Sequence, residues 1–319
     1  MEKRLKLILP MLATASILFI IYAINGLYPF GDMSISWGDM NQQVIPLLDE
    51  FRDMLLGKQD FLFSMQNAGG MNFWGVFLFF IASPFSFLTV FVEKADMFLF
   101  MNLLVLLKMM TCAGTAAVFF SKIYPKLELG FCTALSVSYA FCGYVMLFYQ
   151  NVVWLDMMYL FPLLLLSLNY LAKTGRFLPY LLCLSGMITV HFYLSYMLLA
   201  FLVLCSCLWV FFSIKEPVCG QRVVSLGLGT MGAGLLTAVV WLPSLIEYLG
   251  SARGANLFDS LAAGNFLTRM DTIGMLLLCT AYLLPVFLYR ICRTALGMER
   301  GIHQKVILFS FLFLIIPMV

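Results

Sequence analysis

Six acids, Asp32, Asp39, Asp49, Glu50, Asp53 and Asp60, crowd the stretch Tyr28 to Asn72 of a chain that holds only 16 in 319 residues. That stretch reads YPFGDMSISWGDMNQQVIPLLDEFRDMLLGKQDFLFSMQNAGGMN, and almost everything after it is apolar. Asp39 is the first candidate for chemistry. Its spacing to Gln42 matches a capping box at the head of a helix. The same carboxylate, held above an apolar body, would serve as a general base or metal ligand, and the two roles are compatible. Asp32 follows a Pro-Phe-Gly turn and reads alone as a turn aspartate.

Other candidates lie further along. Lys108 falls near the middle of an apolar run, where a charge is costly and faces a cavity or a partner. A buried pairing role is favoured over substrate contact. Asp156 stands just past QNVVW and reads as an interfacial aspartate. His191 and Tyr193 sit at an expected turn between two short helices, where a satisfied histidine and a belt tyrosine are the plain readings. His303 is expected across the membrane from His191, which argues against a two-histidine metal site. Arg253, in EYLGSARG beside the bilayer, suits a lipid phosphate, because guanidinium binds phosphate bidentately. An ordinary loop charge is its alternative. No GxSxG, HExxH, Walker A or paired CxxC motif occurs.

The elements that must position these residues follow from composition. The chain is 63% hydrophobic and 11% charged, with a mean hydropathy of +0.98. Apolar runs long enough to cross a bilayer recur, and the short alternating segments of a β-barrel do not. The expected fold is an all-α polytopic membrane protein, one transmembrane domain over 1–319 with about nine spans. The start, basic and then apolar from Leu7 to Leu27, reads as a retained anchor. Lys3, Arg4 and Lys6 put the N-terminus in the cytoplasm and the acidic loop outside.

Within that loop, Val44, Ile45, Leu47, Leu48, Phe51, Met54 and Leu55 recur at helical spacing, an amphipathic helix suited to the outer membrane surface and ended by Gly57 and Lys58. The segment 73–92 is apolar but interrupted at Pro84. Keeping 28–96 outside, with 73–92 re-entrant or interfacial, leaves 13 of the 19 basic residues on the inner side; letting it cross would flip every later loop. The later spans are then 97–120, 129–149, 153–172, 177–191, 193–213, 223–248, 271–290 and 304–319. GLGTMG at 227–232 matches a dinucleotide fingerprint, but no strand precedes it, and Gly229 with Ala233 four residues on points to close helix packing. Val319 lies inside an apolar run, which reads as the end of a partial chain.

Several pieces in order resemble the YfhO family of bacterial membrane proteins: YPFGD at 28–32, WGDMNQQ at 37–43, SMQNAGGMN at 64–72, SPF at 83–85, the span carrying Lys108, NVVWLD at 151–156 with Pro162, HFYLSYM at 191–197, then Pro243 and Arg253. The resemblance implies a multi-span helical bundle like the GT-C class of glycosyltransferases. Such enzymes take a sugar from a polyprenyl-phosphate carrier on the outer face, here for transfer to a cell-envelope polymer of the teichoic-acid type. It makes Asp39 the catalytic acid of the first outer loop, with Asp32 second, directly or through a divalent cation (Mg or Mn). Arg253, with Lys108 or Arg269, would neutralise the leaving phosphate. Trp37, Trp154 and Tyr193 would stack on the sugar, with His191 and Asp156 lining the site. Expected partners are the lipid-linked sugar, the polymer acceptor and the bilayer of a bacterial cell membrane, and no nucleic acid. Members are usually longer, which fits an N-terminal portion.

A transporter or flippase for a lipid-linked or small solute is the rival reading, since broken helices and Lys108 suit a transport path. Acids gathered in the outer loop and almost absent from mid-span favour surface chemistry. A non-catalytic scaffold, whose acidic loop would tolerate substitution, is a third. The expected topology is checked by thiol labelling in a background stripped of reactive native cysteines. A cysteine at Gly57 or Asn256 labels from outside with an impermeant reagent, and one at Thr174 or Gly301 does not; labelling at Thr174 means that 73–92 crosses.

Overall fold

The structure, a computed structural model, describes residues 2–67, 69–213 and 219–250. The chain forms two compact units, Met1–Leu245 and Ile246–Val319, and of the second the described part is the end of one helix. It is an all-α polytopic membrane protein. Its helices are α1 (Glu2–Ile24), α2 (Ile45–Leu55), α3 (Phe73–Phe80), α4 (Met97–Ile123), α5 (Leu129–Ala140), α6 (Gly143–Phe148), α7 (Trp154–Thr174), α8 (Leu178–Val190), α9 (Phe192–Ser213), α10 (Cys219–Leu236) and α11 (Ala238–Gly250). A two-residue antiparallel hairpin, β1 (Phe63–Ser64) with β2 (Met71–Asn72), lies between α2 and α3.

Among the described residues four helices are long and apolar enough to cross a membrane, or six if each of two bent pairs counts as one. At 1.5 Å per residue α4 is about 40 Å long, more than the ~30 Å hydrocarbon layer requires. It is the central element, with α1, α5 and α7 packed around it. The span expected over 129–149 is present as Leu129–Phe148; within it α5 gives way to α6 around Phe141. The expected spans 271–290 and 304–319, like Arg253, Arg269 and His303, lie outside the described residues.

The segment 73–92 is two arms bent by 109°. The first is α3, and the second is a 3-10 helix over Pro84–Phe91. Proline at its first position has no N–H to lose, and the Ser83 hydroxyl caps it by accepting from Phe85 N–H. Each arm, at 8 residues, is too short to cross alone.

The amphipathic helix exists as α2, introduced by a π-helical turn over Met40–Val44. Gly57, at φ +72°, stops it as expected. Its surroundings differ from the sequence expectation. Leu47, Leu48, Phe51 and Met54 are buried in the protein's own core instead of facing lipid. Phe51 meets Phe61, Phe77 and Phe87 at ring distances of 6.1, 4.9 and 5.5 Å. The polar face is covered too: Glu50 accepts from Asn67, Asp53 pairs with Lys94, and Arg52 donates to the Val92 carbonyl. The aromatic groups of α3 and the 3-10 arm outcompete a lipid surface because they bring matched shape as well as apolar area.

The loop before α2 folds back on the end of α1. Leu27 bridges Met33, and a Cβ on Gly31 would lie 2.3 Å from the Gly26 carbonyl oxygen, so only glycine fits this approach. Asn102, fully buried on α4, holds that loop by its side chain.

GLGTMG lies on α10, where small residues allow close packing against α8. A Cβ on Gly229 would stand 2.8 Å from a Tyr180 ring carbon, and one on Gly232 2.6 Å from Leu181. Ala233 is fully buried. Gly229→Ala is expected to lower stability by roughly 1–3 kcal/mol through overpacking. Gly227→Ala, with nothing within 4 Å of its Cβ, should be neutral or mildly stabilising. Thermal unfolding of the two purified variants checks the pair, and equal midpoints would remove the packing role.

Candidate functional site

Lys108 and Asp156 meet in the core. The Lys108 ammonium donates to Asp156 Oδ2 at 2.7 Å and to the Val152 carbonyl at 2.8 Å, and the Phe85 ring centroid lies 5.8 Å away. The Ser83 hydroxyl donates to Asp156 Oδ1 at 3.0 Å. One ion pair thus ties α4, α7 and the break of the 73–92 segment. Both side chains are fully enclosed, so neither presents a free atom to a bound molecule. The pairing expected of Lys108 is what the fold uses. The interfacial reading of Asp156 is overturned: it is buried because it is the counter-ion.

Asp39 is exposed, and it is not a helix cap. The backbone is already helical there, with φ −61° and ψ −26°, and its side chain makes no cap hydrogen bond. The turn begins earlier: Met40 N–H donates to the Trp37 carbonyl, and Asn41 and Gln42 N–H to that of Gly38. Those bonds use the donors that a cap would have satisfied. Gly38, at φ +52°, makes this early entry possible. Asp32 is exposed as well. Neither carboxylate hydrogen-bonds or ion-pairs with another described residue. In the same loop burial raises the Asp49 carboxyl above its ordinary range, an effect that Lys94 and Arg52 oppose and Asp53 reinforces.

The aromatics fall into two groups. Trp37, half exposed, lies against Tyr149, with ring centroids 6.4 Å apart. The Tyr149 hydroxyl reaches the Ile35 carbonyl at 3.5 Å. Trp154 packs on Tyr144 and Phe148, at 6.3 and 5.3 Å, so α6 and the residue after it carry rings toward both tryptophans. His191 and Tyr193 form the other group around Phe79 of α3, at 5.5 and 5.9 Å. His191 breaks the helix between α8 and α9. Its Nδ1 accepts from Leu194 N–H at 3.2 Å, which places the proton of the neutral ring on Nε2, a buried atom with no partner among the described residues. Tyr193 is exposed. No hydrogen bond or ring contact joins this group to Trp37 or Asp39 among the described residues.

A family model described as bacterial membrane protein YfhO matches residues 7–318. The chain belongs to the YfhO family. No curated protein matches the chain, and no solved structure does. The YfhO match spans the acidic loop, the ion pair and the undescribed 251–318 together.

Ser83, Tyr149 and Asn102 are site-building residues that the sequence reading missed. Ser83 was visible only as part of a break. Asn102, a lone amide in an apolar span, carries the signal that could have found it, since polar groups inside a membrane span are costly and serve a partner. No group of three or more His, Cys, Asp or Glu able to hold a metal ion occurs among the described residues.

Removing one partner of the ion pair is expected to be worse than removing both. Lys108→Met or Asp156→Leu alone strands a buried charge and should cost about 3–5 kcal/mol, while the double variant should recover much of that. Unfolding of the three variants in detergent measures it. Equal loss in single and double variants would show that the pair contributes shape and not charge matching.

Proposed function

We propose that this chain is a membrane glycosyltransferase that moves a sugar from a polyprenyl-phosphate donor to a cell-envelope polymer of the teichoic-acid type at the outer face of a bacterial cell membrane, with its N-terminus in the cytoplasm. The observation that carries it is Asp39, an exposed carboxylate with no cap bond to make, two residues from Trp37 in an acid-rich loop.

In this reading the lipid tail stays in the bilayer and the phosphate and sugar rest at the surface. An acceptor hydroxyl attacks the anomeric carbon, the carbon–oxygen bond to phosphate breaks, and polyprenyl phosphate leaves. Asp39 takes the hydroxyl proton, with Asp32 as the second carboxylate. The base acts directly or through a divalent cation shared with the donor phosphate. Trp37, with Tyr149 behind it, offers a ring face to the sugar, and Trp154 and Tyr193 are further stacking candidates. His191, buried beside Phe79 and Tyr193, supports that ring group from behind. Arg253 is the assigned phosphate ligand. Lys108 and Asp156 hold the scaffold under these groups.

A lipid-linked-solute transporter draws its support from the helix breaks, the 69° bend between α10 and α11 and the interruption at His191. Transport predicts no covalent product.

The test is sugar transfer by purified protein from polyprenyl-phosphate-linked glucose to poly(glycerol phosphate), with expression and thermal stability recorded. As Asp39 makes no cap bond, Asp39→Asn and Asp39→Ala should both keep wild-type stability. Both should lose the roughly 10²–10⁴-fold that general-base catalysis supplies. Wild-type turnover by Asp39→Asn would remove the base, and absence of product from active-folded wild type with a full donor panel would favour transport.

A further inference from the structure

We propose that Asn102 is a positioning residue: from the start of α4 its amide clasps the loop 27–36 and so fixes where Asp32, Trp37 and Asp39 stand above the bundle. The proposal rests on the reading of Asp39 as the base.

An asparagine side chain has two N–H donors and one carbonyl oxygen, and here all three serve the loop. Nδ2 donates to the Tyr28 carbonyl at 3.0 Å and to the Met33 carbonyl at 3.1 Å. Oδ1 accepts from Ile35 N–H at 2.9 Å. Ser34 Oγ lies 3.2 Å from Oδ1 and 2.7 Å from the Phe98 carbonyl; its single proton belongs to the shorter bond, which ties the loop to α4 a second time. The Tyr22 hydroxyl donates to Asn102's own backbone carbonyl at 3.0 Å, adding α1 to the clasp.

The clasped atoms flank Asp32 on both sides and end four residues before Asp39. The loop has few ties of its own: Tyr28 N–H to the Met33 carbonyl at 2.9 Å, Phe30 N–H to that of Leu27 at 2.9 Å, Met33 N–H to that of Gly26 at 3.2 Å, and Ser36 N–H to Ser34 Oγ at 3.1 Å. Asn102 is fully buried, so no water replaces a lost bond. The requirement is for an amide and not merely a polar group. Aspartate of the same shape would keep the bond from Ile35 and set a carboxylate against two carbonyls. Glutamine would need room that a closed site lacks. Asn102 touches nothing that reacts; it acts through the loop.

The experiment compares wild type, Asn102→Asp and Asn102→Ala in nanodiscs, with Asn25→Ala as control, since exposed Asn25 bonds only its own helix turn. Hydrogen exchange is followed across 26–36, and transfer is measured from polyprenyl-phosphate-linked glucose to poly(glycerol phosphate). Expected are faster exchange at Tyr28 and Met33 in both variants, and at Ile35 in Asn102→Ala, with α4 and α7 unchanged, and kcat lower by roughly 10- to 100-fold while donor KM stays within about twofold. In an Asp39→Asn background Asn102→Asp should cost no further turnover, because the group it positions is already silent.

Unchanged loop exchange overturns the proposal. So does a loss confined to KM or to stability, or one that adds in full to that of Asp39→Asn. Wild-type turnover by Asp39→Asn alone would remove the base and not the clasp. Exchange and kcat of Asn102→Asp then decide by themselves: a fall in kcat with a loosened loop upholds positioning, and unchanged kcat overturns it.

Discussion

A charge placed in an apolar interior has to be answered there, and the Lys108–Asp156 pair is where this protein meets that requirement. The ammonium has a carboxylate, a carbonyl and an aromatic face; the carboxylate has the ammonium and a serine hydroxyl. Such pairs add little net stability against an apolar replacement, because desolvation cancels most of the attraction. What they add is register. Phe85 lies over Lys108 and Ser83 bonds Asp156 only if the 73–92 break, α4 and α7 stand at one height relative to one another.

α4 is thus a spine with two polar stations. Asn102 carries the loop 27–36 and Lys108 carries the break of the 73–92 segment, six residues apart on one helix. The catalytic candidates are on neither station. Asp32 and Asp39 are exposed and make no hydrogen bond or ion pair with another described residue, as suits groups that would meet a substrate. Both stations bond backbone from a buried side chain, Asn102 to Tyr28 and Met33 and Lys108 to Val152. α2 binds the two halves of the segment 28–96 together, because its apolar face packs on α3 and the 3-10 arm while its charges reach Asn67, Lys94 and Val92.

Much of this architecture was legible in the residues. Apolar runs marked the helices, Gly57 ended α2, Ser-Pro-Phe marked a break, and Gly229 with Ala233 marked a close helix contact. Lys108 announced a partner by being a charge in mid-span. Its identity was hidden, because pairing across 48 residues depends on which helices become neighbours, and spacing within one helix says nothing of that. Asp39 failed as a cap for a local reason: after the left-handed turn at Gly38 the backbone is already helical at Asp39 itself, too soon for the capping-box pattern to apply. The amphipathic stripe of α2 was read correctly and its neighbour was not, since an apolar face does not say whether lipid or phenylalanine will cover it. The family match covers the chain from Leu7 onward, and the donor and acceptor rest on chemistry still to be measured.

The ion pair also imposes an order on biosynthesis. Lys108 leaves the ribosome 48 residues ahead of Asp156, an interval of roughly 2–10 seconds at ~5–20 residues per second. Throughout that time α4 holds an ammonium whose counter-ion has not been made, a burden of about 2.5–3.5 kcal/mol at the centre of a lone helix. The apolar residues that surround Lys108 on α4 must carry that burden until α7 arrives. Excess hydrophobicity in α4 therefore has a use that the finished structure no longer displays: it keeps the helix in the insertion pathway while it waits.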